Sequence, residues 1–127
     1  MCAAVADYTP EVSEQQKIKK KQNSLSLKLK PTKDILSNLG KIKSKDQLLV
    51  GFALETENEL ANAKIKLAKK NLDLIILNSL NDNGAGFTHD TNKITIIDKN
   101  NKTQSFKLKL KREVARDIVA KIISLIF

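Results

Sequence analysis

The sequence has few of the residues on which several kinds of functional site depend. Its 127 residues contain one cysteine, Cys2, so neither an internal disulfide framework nor a cysteine-rich zinc site can form. The single histidine, His89, has no cysteine or second histidine with which to build a metal site or a catalytic triad. The four glycines form neither a G-x-G-x-x-G motif nor a P-loop. We interpret Cys2 as a buried packing thiol and His89 as an exposed loop residue.

Aromatic residues and long apolar runs are also scarce. Tryptophan is absent and aromatic residues make up 4% of the chain, so the base-stacking surfaces of single-strand nucleic-acid binders are nearly missing. No apolar run approaches the roughly 20 residues that cross a bilayer, and no secretory signal is recognisable. We therefore expect a cytoplasmic protein with no specific nucleic-acid partner and no membrane partner.

What is present is an ordinary globular composition with an excess of positive charge. Hydrophobic residues make up 41% and charged residues 29% of the chain, and the length fits one domain. The 23 lysines and arginines outnumber the 14 aspartates and glutamates, which gives a formal net charge of +9. The composition therefore predicts an anionic partner without identifying it.

The central part of the chain predicts an α/β organisation. Continuous apolar runs over 47–53 and 72–78 predict two buried strands, and the residues at about 57–70 have helical spacing. Thr56 followed by Glu59 is the signature of a capping box at the start of that helix. Strand, helix and strand joined by short links are typical of a parallel βαβ unit with a right-handed crossover.

The N-terminal part predicts two further strands and a short helix. Residues 2–7 form an apolar stretch typical of a buried strand, and residues 24–30 alternate as in a half-buried strand. Residues 33–40 predict a short helix closed by Gly40. A strand of core character this close to the first residue leads us to expect that the domain continues upstream.

The C-terminal part predicts a loop, a hairpin and a long helix. Residues 78–92 are polar and follow the second central strand, at the edge of an α/β sheet where ligands bind. Residues 93–98 and 103–110 predict a hairpin. Residues 111–126 have a wide apolar stripe at helical spacing.

Lysines are concentrated in two groups. Lys66 and Lys70 are four residues apart, so their side chains share one helix face and can hold a polyphosphate. The commoner explanation of such a face is a solvated surface, and both explanations stand on the residues alone. The two groups are Lys17, Lys19, Lys20 and Lys21, and Lys64, Lys66, Lys69 and Lys70.

Two other side chains lie where predicted strands end. Asp7 is placed to bind Mg²⁺, which takes one or two carboxylates together with phosphate oxygens, although an aspartate that begins a turn is the alternative. Phe52 either lines the same crevice and contacts a base or belongs to the core.

Seven blocks of sequence, in order and with matching spacing, resemble the C-terminal half of phosphopantothenate–cysteine ligase. In bacteria this ligase is commonly the second domain of a bifunctional coenzyme A biosynthesis flavoprotein, phosphopantothenoylcysteine decarboxylase/phosphopantothenate–cysteine ligase. The blocks are AAVADY, KIKKK, KDIL, VGFALETEN, LAKKNLDLIILN, GFTHDTN and KREVARDIVAKI.

The resemblance implies a Rossmann-like three-layer α/β/α sandwich, with a mostly parallel sheet plus antiparallel strand extensions. Residues 1–127 would be the C-terminal part of the ligase domain, so the fold is expected to be incomplete in this chain. The glycine-rich nucleotide loop and a catalytic asparagine of the N-terminal half, and the FMN-binding decarboxylase domain, do not occur in this sequence. We therefore expect the isolated chain to be inactive as a ligase.

The reaction implied by the resemblance joins 4′-phosphopantothenate to cysteine at the expense of CTP, with Mg²⁺. The carboxylate attacks the α-phosphate of CTP to give an acyl-cytidylate and pyrophosphate, and the amine of cysteine then displaces CMP. Because two anions must meet, the site needs cations more than a protein nucleophile. A lysine-rich chain without a catalytic triad is consistent with this chemistry.

The resemblance also assigns site residues. Lys17 matches the lysine that acts in conversion of the acyl-cytidylate, Asp7 matches a nucleotide-site aspartate, and Asn92 is a substrate-binding candidate. Lys33 stands where proline is usual. The nucleotide-binding set is Met1, Cys2, Ala3, Asp7, Lys17, Lys33, Asp34, Ile35, Leu36, Phe52, Lys66 and Lys70.

Family members pair through strand extensions, so we expect a homodimer formed through residues 24–30 and the hairpin at 93–109. Two alternatives to the ligase interpretation remain open. One is a basic module that binds RNA or another polyanion without catalysis, and the other is a structural remnant that keeps the fold without turnover.

Overall fold

The computed structural model describes residues 5–19, 25–79, 81, 84 and 89–127. The chain divides into two compact units, Met1–Ile35 and Leu36–Phe127, which are described separately. The elements in chain order are β1 (Tyr8–Pro10), β2 (Leu29–Pro31), α1 (Ile35–Ile42), β3 (Val50–Glu55), α2 (Glu59–Lys69), β4 (Leu74–Ser79), β5 (Thr91–Asn92), β6 (Ile94–Asp98), β7 (Thr103–Ser105), β8 (Lys109–Leu110) and α3 (Lys111–Ile126).

The first unit contains an antiparallel ribbon of β1 and β2, in which Thr9 lies opposite Lys30. Hydrogen bonds extend the pairing beyond both strands, since Glu11 N donates to Lys28 O at 2.9 Å and Thr32 N donates to Asp7 O at 2.8 Å. An ion pair between Lys28 and Glu11 (2.8 Å) lies along the same ribbon.

The buried strand predicted over residues 2–7 is not found in its described part. Val5 and Ala6 are outside any strand, and Val5 is 53% exposed. Residues 1–4 lie outside the described residues. A two-stranded ribbon has no second layer against which an apolar side chain can be buried, which explains the exposure within this unit.

The half-buried strand predicted over residues 24–30 is also wrong in extent and burial. Only Leu29 to Pro31 form β2, and Leu25 and Leu27 are 66% and 55% exposed. Of the three alternating leucines, only Leu29 lies in a strand, and Leu25 and Leu27 lie before it. Alternation specifies which side chains share a face, but it does not supply the layer that would cover that face.

The second unit is built on a four-stranded sheet with the order β3-β4-β6-β7. Strands β3 and β4 are parallel, with Val50 opposite Leu74 and Glu55 opposite Ser79, and α2 connects them. The predicted βαβ unit is therefore confirmed.

The rest of the sheet is antiparallel. β6 pairs with β4 and β7 with β6, both antiparallel, and β5 and β8 form a separate small ribbon. Among the described strands the sheet is therefore mixed rather than mostly parallel. A parallel neighbour requires a crossover long enough to return to the same end of the sheet, and the four-residue link at 99–102 between β6 and β7 permits only a hairpin.

Both faces of the sheet are covered, which confirms the three-layer α/β/α architecture. On one face α2 contributes Ala63 and Leu67 to a cluster with Ile75 and Ile97, against which Leu36 of α1 packs. On the other face α3 covers a second cluster. Its members are Leu74, Ile76, Ile94, Ile96 and Val114, with Ile118 and Ile122 beside them.

The end of α1 differs from the one predicted, whereas the last helix has its predicted bounds. Gly40 does not close α1 but lies within it, buried, where a Cβ atom would come 1.9 Å from the carbonyl oxygen of Lys70. The residue is therefore required by the close approach of two backbones. The last helix occupies the predicted residues 111–126, and Glu113 accepts a hydrogen bond from Leu110 N (3.0 Å) at its start.

An ion pair joins several elements at the amino edge of the sheet. Asp73 Oδ2 accepts from Lys43 Nζ at 2.7 Å and from Leu49 N at 2.8 Å, and both charged side chains are about 15% exposed or less. In the part of the chain that the structure describes, no helix combines the length and the apolar character of a membrane span.

Candidate functional site

The candidate site lies at the carboxyl edge of the parallel pair. Because β3 and β4 run in the same direction, Glu55 and Ser79, their last residues, meet at one edge of the sheet. The turn from β3 into α2 passes over this edge through Thr56, Glu57 and Asn58.

At the end of β3 a glutamate holds a lysine of α2. Glu55 Oε1 lies 2.5 Å from Lys66 Nζ. Asn62, one helical turn before Lys66, lies 3.5 Å from Glu55 Oε2 and donates to Glu57 O at 2.8 Å. The Glu55 side chain is 11% exposed and that of Lys66 is 45% exposed, so the carboxylate is buried while the ammonium group reaches the surface.

A second glutamate ties the same turn to the end of β4. Glu59 Oε1 accepts from Ser79 Oγ at 2.5 Å and from Asn81 Nδ2 at 2.9 Å, and the Asn81 amide also donates to Thr56 O at 2.8 Å. This network replaces the predicted capping box of Thr56 and Glu59. The residue before α2 is instead Asn58, which has φ 46° and makes no side-chain capping hydrogen bond.

A cavity of about 520 Å³ adjoins this network on the α2 side of the sheet. Its walls combine apolar side chains with hydroxyl groups and one lysine. The lining residues are Glu59, Leu60, Leu77, Ser79, Asn81, Lys93, Ile94, Thr95 and Ser105.

Phe52 lies near the same edge but on the other face of the sheet. It is 70% exposed, so the alternative that it belongs to the core is wrong. Side chains alternate along a strand, and Val50 packs against the cluster under α3, so Phe52 faces the α3 side while Glu55 faces α2. The phenyl ring is accessible for a contact of the kind predicted, and Lys66 is on the opposite face.

The two predicted lysines of α2 are one turn apart at its end. Lys70 follows the last residue of the helix, and its backbone N–H donates to Lys66 O at 3.0 Å. The backbones of the two residues are therefore one turn apart, as their spacing predicts. A role of either lysine in nucleotide binding stays a prediction.

Five of the predicted residues lie in the described part of the first unit. Asp7 and Lys17 are exposed, and Lys17 lines a groove of about 900 Å³ within that unit. Among the described residues no group of three or more histidine, cysteine, aspartate or glutamate side chains could hold a metal ion, and the Mg²⁺ role of Asp7 stays a prediction. The five are Asp7, Lys17, Lys33, Asp34 and Ile35.

The remaining predicted residues are dispersed. Leu36 belongs to the second unit, where its side chain packs on the core cluster under α2. Asn92 is half-buried in β5 opposite Lys109, and its Oδ1 accepts from Lys93 N at 3.0 Å. Met1, Cys2 and Ala3 lie outside the described residues.

Sequence reasoning did not single out Glu55, Ser79 or Asn81. The available signal was the run LETEN after an apolar strand, because carboxylates at the carboxyl end of a parallel strand have few local partners. The partners of Glu55 and Glu59 are up to 22 residues away along the chain, so spacing alone does not reveal them.

Two known proteins align with nearly the whole of this sequence. The chain is 56% identical over 126 residues to a cysteine/cysteine sulfinic acid decarboxylase from an unknown prokaryotic organism, covering 99% of the chain and 35% of that protein. It is 46% identical over 123 residues to a coenzyme A biosynthesis bifunctional protein of Bacillus subtilis (strain 168), covering 97% of the chain and 30% of that protein. The chain therefore spans about a third of the length of these relatives.

A solved structure supports the same relationship. The C-terminal domain of a coenzyme A biosynthesis bifunctional protein superposes with a TM-score of 0.65 and 41% identity, covering 76% of the chain and 46% of that structure. The family described as DNA/pantothenate metabolism flavoprotein C-terminal domain matches residues 1–126, which confirms the resemblance found in the sequence. The chain belongs to this family.

Proposed function

We propose that the chain forms the CTP-binding part of a phosphopantothenate–cysteine ligase in coenzyme A biosynthesis. The observation that carries the proposal is the Lys66 ammonium group held at the carboxyl edge of β3 by Glu55, at 2.5 Å. This edge of an α/β sheet is where ligands bind, and a fixed cation there favours a polyphosphate. The family match and the bifunctional relative supply the coenzyme A context.

The proposed chemistry needs cations and needs no protein nucleophile. In the first step the substrate carboxylate oxygen bonds to the α-phosphorus of CTP, and pyrophosphate leaves with the electron pair of the broken P–O bond. In the second step the cysteine nitrogen bonds to the acyl carbon, loses a proton, and CMP leaves. Lys66 and Lys70 would neutralise phosphate charge, and Lys17 would act in the second step.

Mg²⁺ would supply further neutralisation of the phosphates. It commonly uses one or two protein carboxylates with phosphate oxygens and waters, so the single carboxylate of Asp7 is a sufficient donor set. We expect FMN to belong to a decarboxylase domain outside this sequence, and we propose no flavin step.

We also propose that the chain forms a homodimer through the β1–β2 ribbon. Leu25, Leu27 and Leu29 are each more than half exposed, and they occupy every second position up to the start of β2. A second copy that adds a strand to this edge would cover these leucines and complete the hydrogen bonding of the edge.

The relative named as a decarboxylase motivates a second candidate function. The chain matches 35% of that protein at 56% identity, so it could serve as the non-catalytic partner region of a cysteine or cysteine sulfinic acid decarboxylase. In that case the lysine face of α2 would have no nucleotide to bind.

Calorimetric titration of the purified chain with CTP, UTP, ATP, CMP and RNA, with Mg²⁺, tests the ligase proposal. We expect CTP to bind more tightly than the other nucleotides. Equal affinity for all triphosphates and for RNA, with a steep loss in salt, would instead identify a polyanion-binding module. Absence of nucleotide binding at low salt would favour the decarboxylase-associated role.

A further inference from the structure

We propose that Glu55 is a positioning residue, which holds the ammonium group of Lys66 at the carboxyl edge of β3 so that it meets the phosphates of CTP. This inference rests on the proposed function, because Lys66 has a phosphate to meet only if CTP binds at this edge. Glu55 is not among the residues that the family resemblance assigns to the nucleotide.

In this ion pair the Glu55 carboxylate is mostly buried, whereas the Lys66 side chain is partly exposed. Glu55 ends β3 with 11% of its side chain exposed, whereas Lys66 in α2 is 45% exposed. The 2.5 Å contact uses one of the three N–H donors of the ammonium group, which leaves donors for a ligand. Asn62 approaches the other carboxylate oxygen at 3.5 Å.

Restricting the Lys66 side chain before the ligand arrives should lower the entropy cost of phosphate binding. A long lysine side chain loses rotamer freedom when it binds a phosphate, and a contact that has already restricted it reduces that loss. The carboxylate also reduces the attraction of the site for any anion, so the two effects of Glu55 have opposite signs. A shorter side chain at position 55 that keeps the negative charge removes the contact with Lys66 but retains the electrostatic effect, and so separates the two.

Glu55→Asp makes this change, because aspartate keeps the charge but is one methylene too short for the 2.5 Å contact. Calorimetric affinities of the chain for CTP and CMP, with Mg²⁺, provide the readout. We expect the ratio of CTP affinity to CMP affinity to fall about three- to tenfold, the range for releasing one mobile side chain. Lys66→Met should reduce the ratio at least as much, and the double variant should lose nothing beyond Lys66→Met.

Glu113→Asp is the matched control, since it shortens a glutamate whose hydrogen bond to Leu110 N caps α3 on the opposite face. We expect its melting temperature to fall slightly and its CTP-to-CMP ratio to equal that of the unchanged chain. A reduced ratio in this control would show that the measurement reports stability rather than the position of Lys66, and the inference would be overturned.

The outcomes separate the inference from the function on which it rests. An unchanged ratio in Glu55→Asp, with Lys66→Met still reduced, overturns the positioning role alone. An equal reduction by Glu55→Asp in the Lys66→Met background does so too, because Glu55 would then act through another group. An unchanged ratio in Lys66→Met itself overturns the assignment of Lys66 to CTP.

A labelling measurement on the unchanged chain keeps the inference testable if Glu55→Asp does not fold. An amine-reactive ester is added and peptide mass spectrometry follows acylation of Lys66 and of exposed Lys69. We expect slower acylation at Lys66, because its nitrogen is engaged by Glu55. Equal rates at the two lysines would contradict the contact.

Discussion

Asp73→Asn should destabilise the second unit by about 1.5–3 kcal/mol at neutral pH. The native carboxylate accepts from Lys43 Nζ at 2.7 Å and from Leu49 N at 2.8 Å, and hydrogen bonds to a charged group typically contribute this amount. The amide can still accept from Leu49 N, but the Lys43 ammonium, whose side chain is 14% exposed, loses its counter-charge.

The effect should depend on pH in a defined direction. Burial alone would raise the pKa of Asp73, but the hydrogen bond from Leu49 N, the contact with Lys43 and the charge of Lys99 outweigh it and lower that pKa. A carboxylate with a lowered native pKa contributes stability above its unfolded pKa of about 3.9, and the contribution is lost as pH falls through the native pKa. The penalty of Asp73→Asn should therefore be constant from about pH 5 to 8 and should shrink below about pH 4.

Urea denaturation followed by circular dichroism measures this penalty at a series of pH values. Glu11→Gln is the control, because its partner Lys28 has a side chain that is 84% exposed and such surface pairs contribute about 0–1 kcal/mol. A penalty for Asp73→Asn no larger than that of the control, or a penalty that grows as the pH is lowered, would refute the reasoning.

Three further predictions concern packing and assembly. Gly40→Ala should cost about 1–3 kcal/mol in urea denaturation, because its Cβ would lie 1.9 Å from Lys70 O; an unchanged midpoint would show that the helices separate freely. Ile76→Ala should cost about 2–5 kcal/mol, since the side chain is fully buried, and a loss below 1 kcal/mol would contradict that burial. Replacing Leu25 and Leu27 by serine should convert a dimer into a monomer in light scattering; a monomeric unchanged chain would refute the dimer.

The elements that were predictable from sequence are those whose burial is decided by local pattern. β4 is a continuous apolar run that is buried on both faces, and α3 repeats its apolar residues at helical spacing over sixteen residues. In both cases the pattern and the tertiary environment agree, and the predicted boundaries are within two residues of those observed.

The predictions that were wrong concern residues whose contacts are made with distant parts of the chain. Thr56 and Glu59 have the spacing of a capping box, but Ser79 and Asn81 occupy the Glu59 carboxylate from 20 or more residues away. Gly40 has the position of a helix terminator, yet the backbone of Lys70 requires it inside the helix. A local pattern states what a residue can do, and the competing long-range contact decides the outcome.

In the candidate site, too, local spacing predicted some features, whereas others depend on the tertiary structure. The spacing of Lys66 and Lys70 correctly placed the two residues one turn apart at the end of α2. Their relation to Phe52 could not be inferred in this way, because it depends on which face of β3 each side chain of the strand occupies. The structure places Phe52 on the α3 side and Glu55 on the α2 side, so a nucleotide that used both Phe52 and Lys66 would have to cross the carboxyl edge of the sheet.

The net charge of +9 does not identify the lysines that an anion would contact. Lys43 and Lys109 are each paired with an aspartate at 2.7 Å or less, and Lys66 is paired with Glu55, so these cations are already partly compensated within the chain. A polyanion that responded only to net charge would gain little from the paired lysines. Under the proposed function, a triphosphate at the edge of β3 would meet Lys66 in an orientation that Glu55 has already restricted. Selectivity among nucleotides, measured against the response to salt, thus distinguishes a built site from a basic surface.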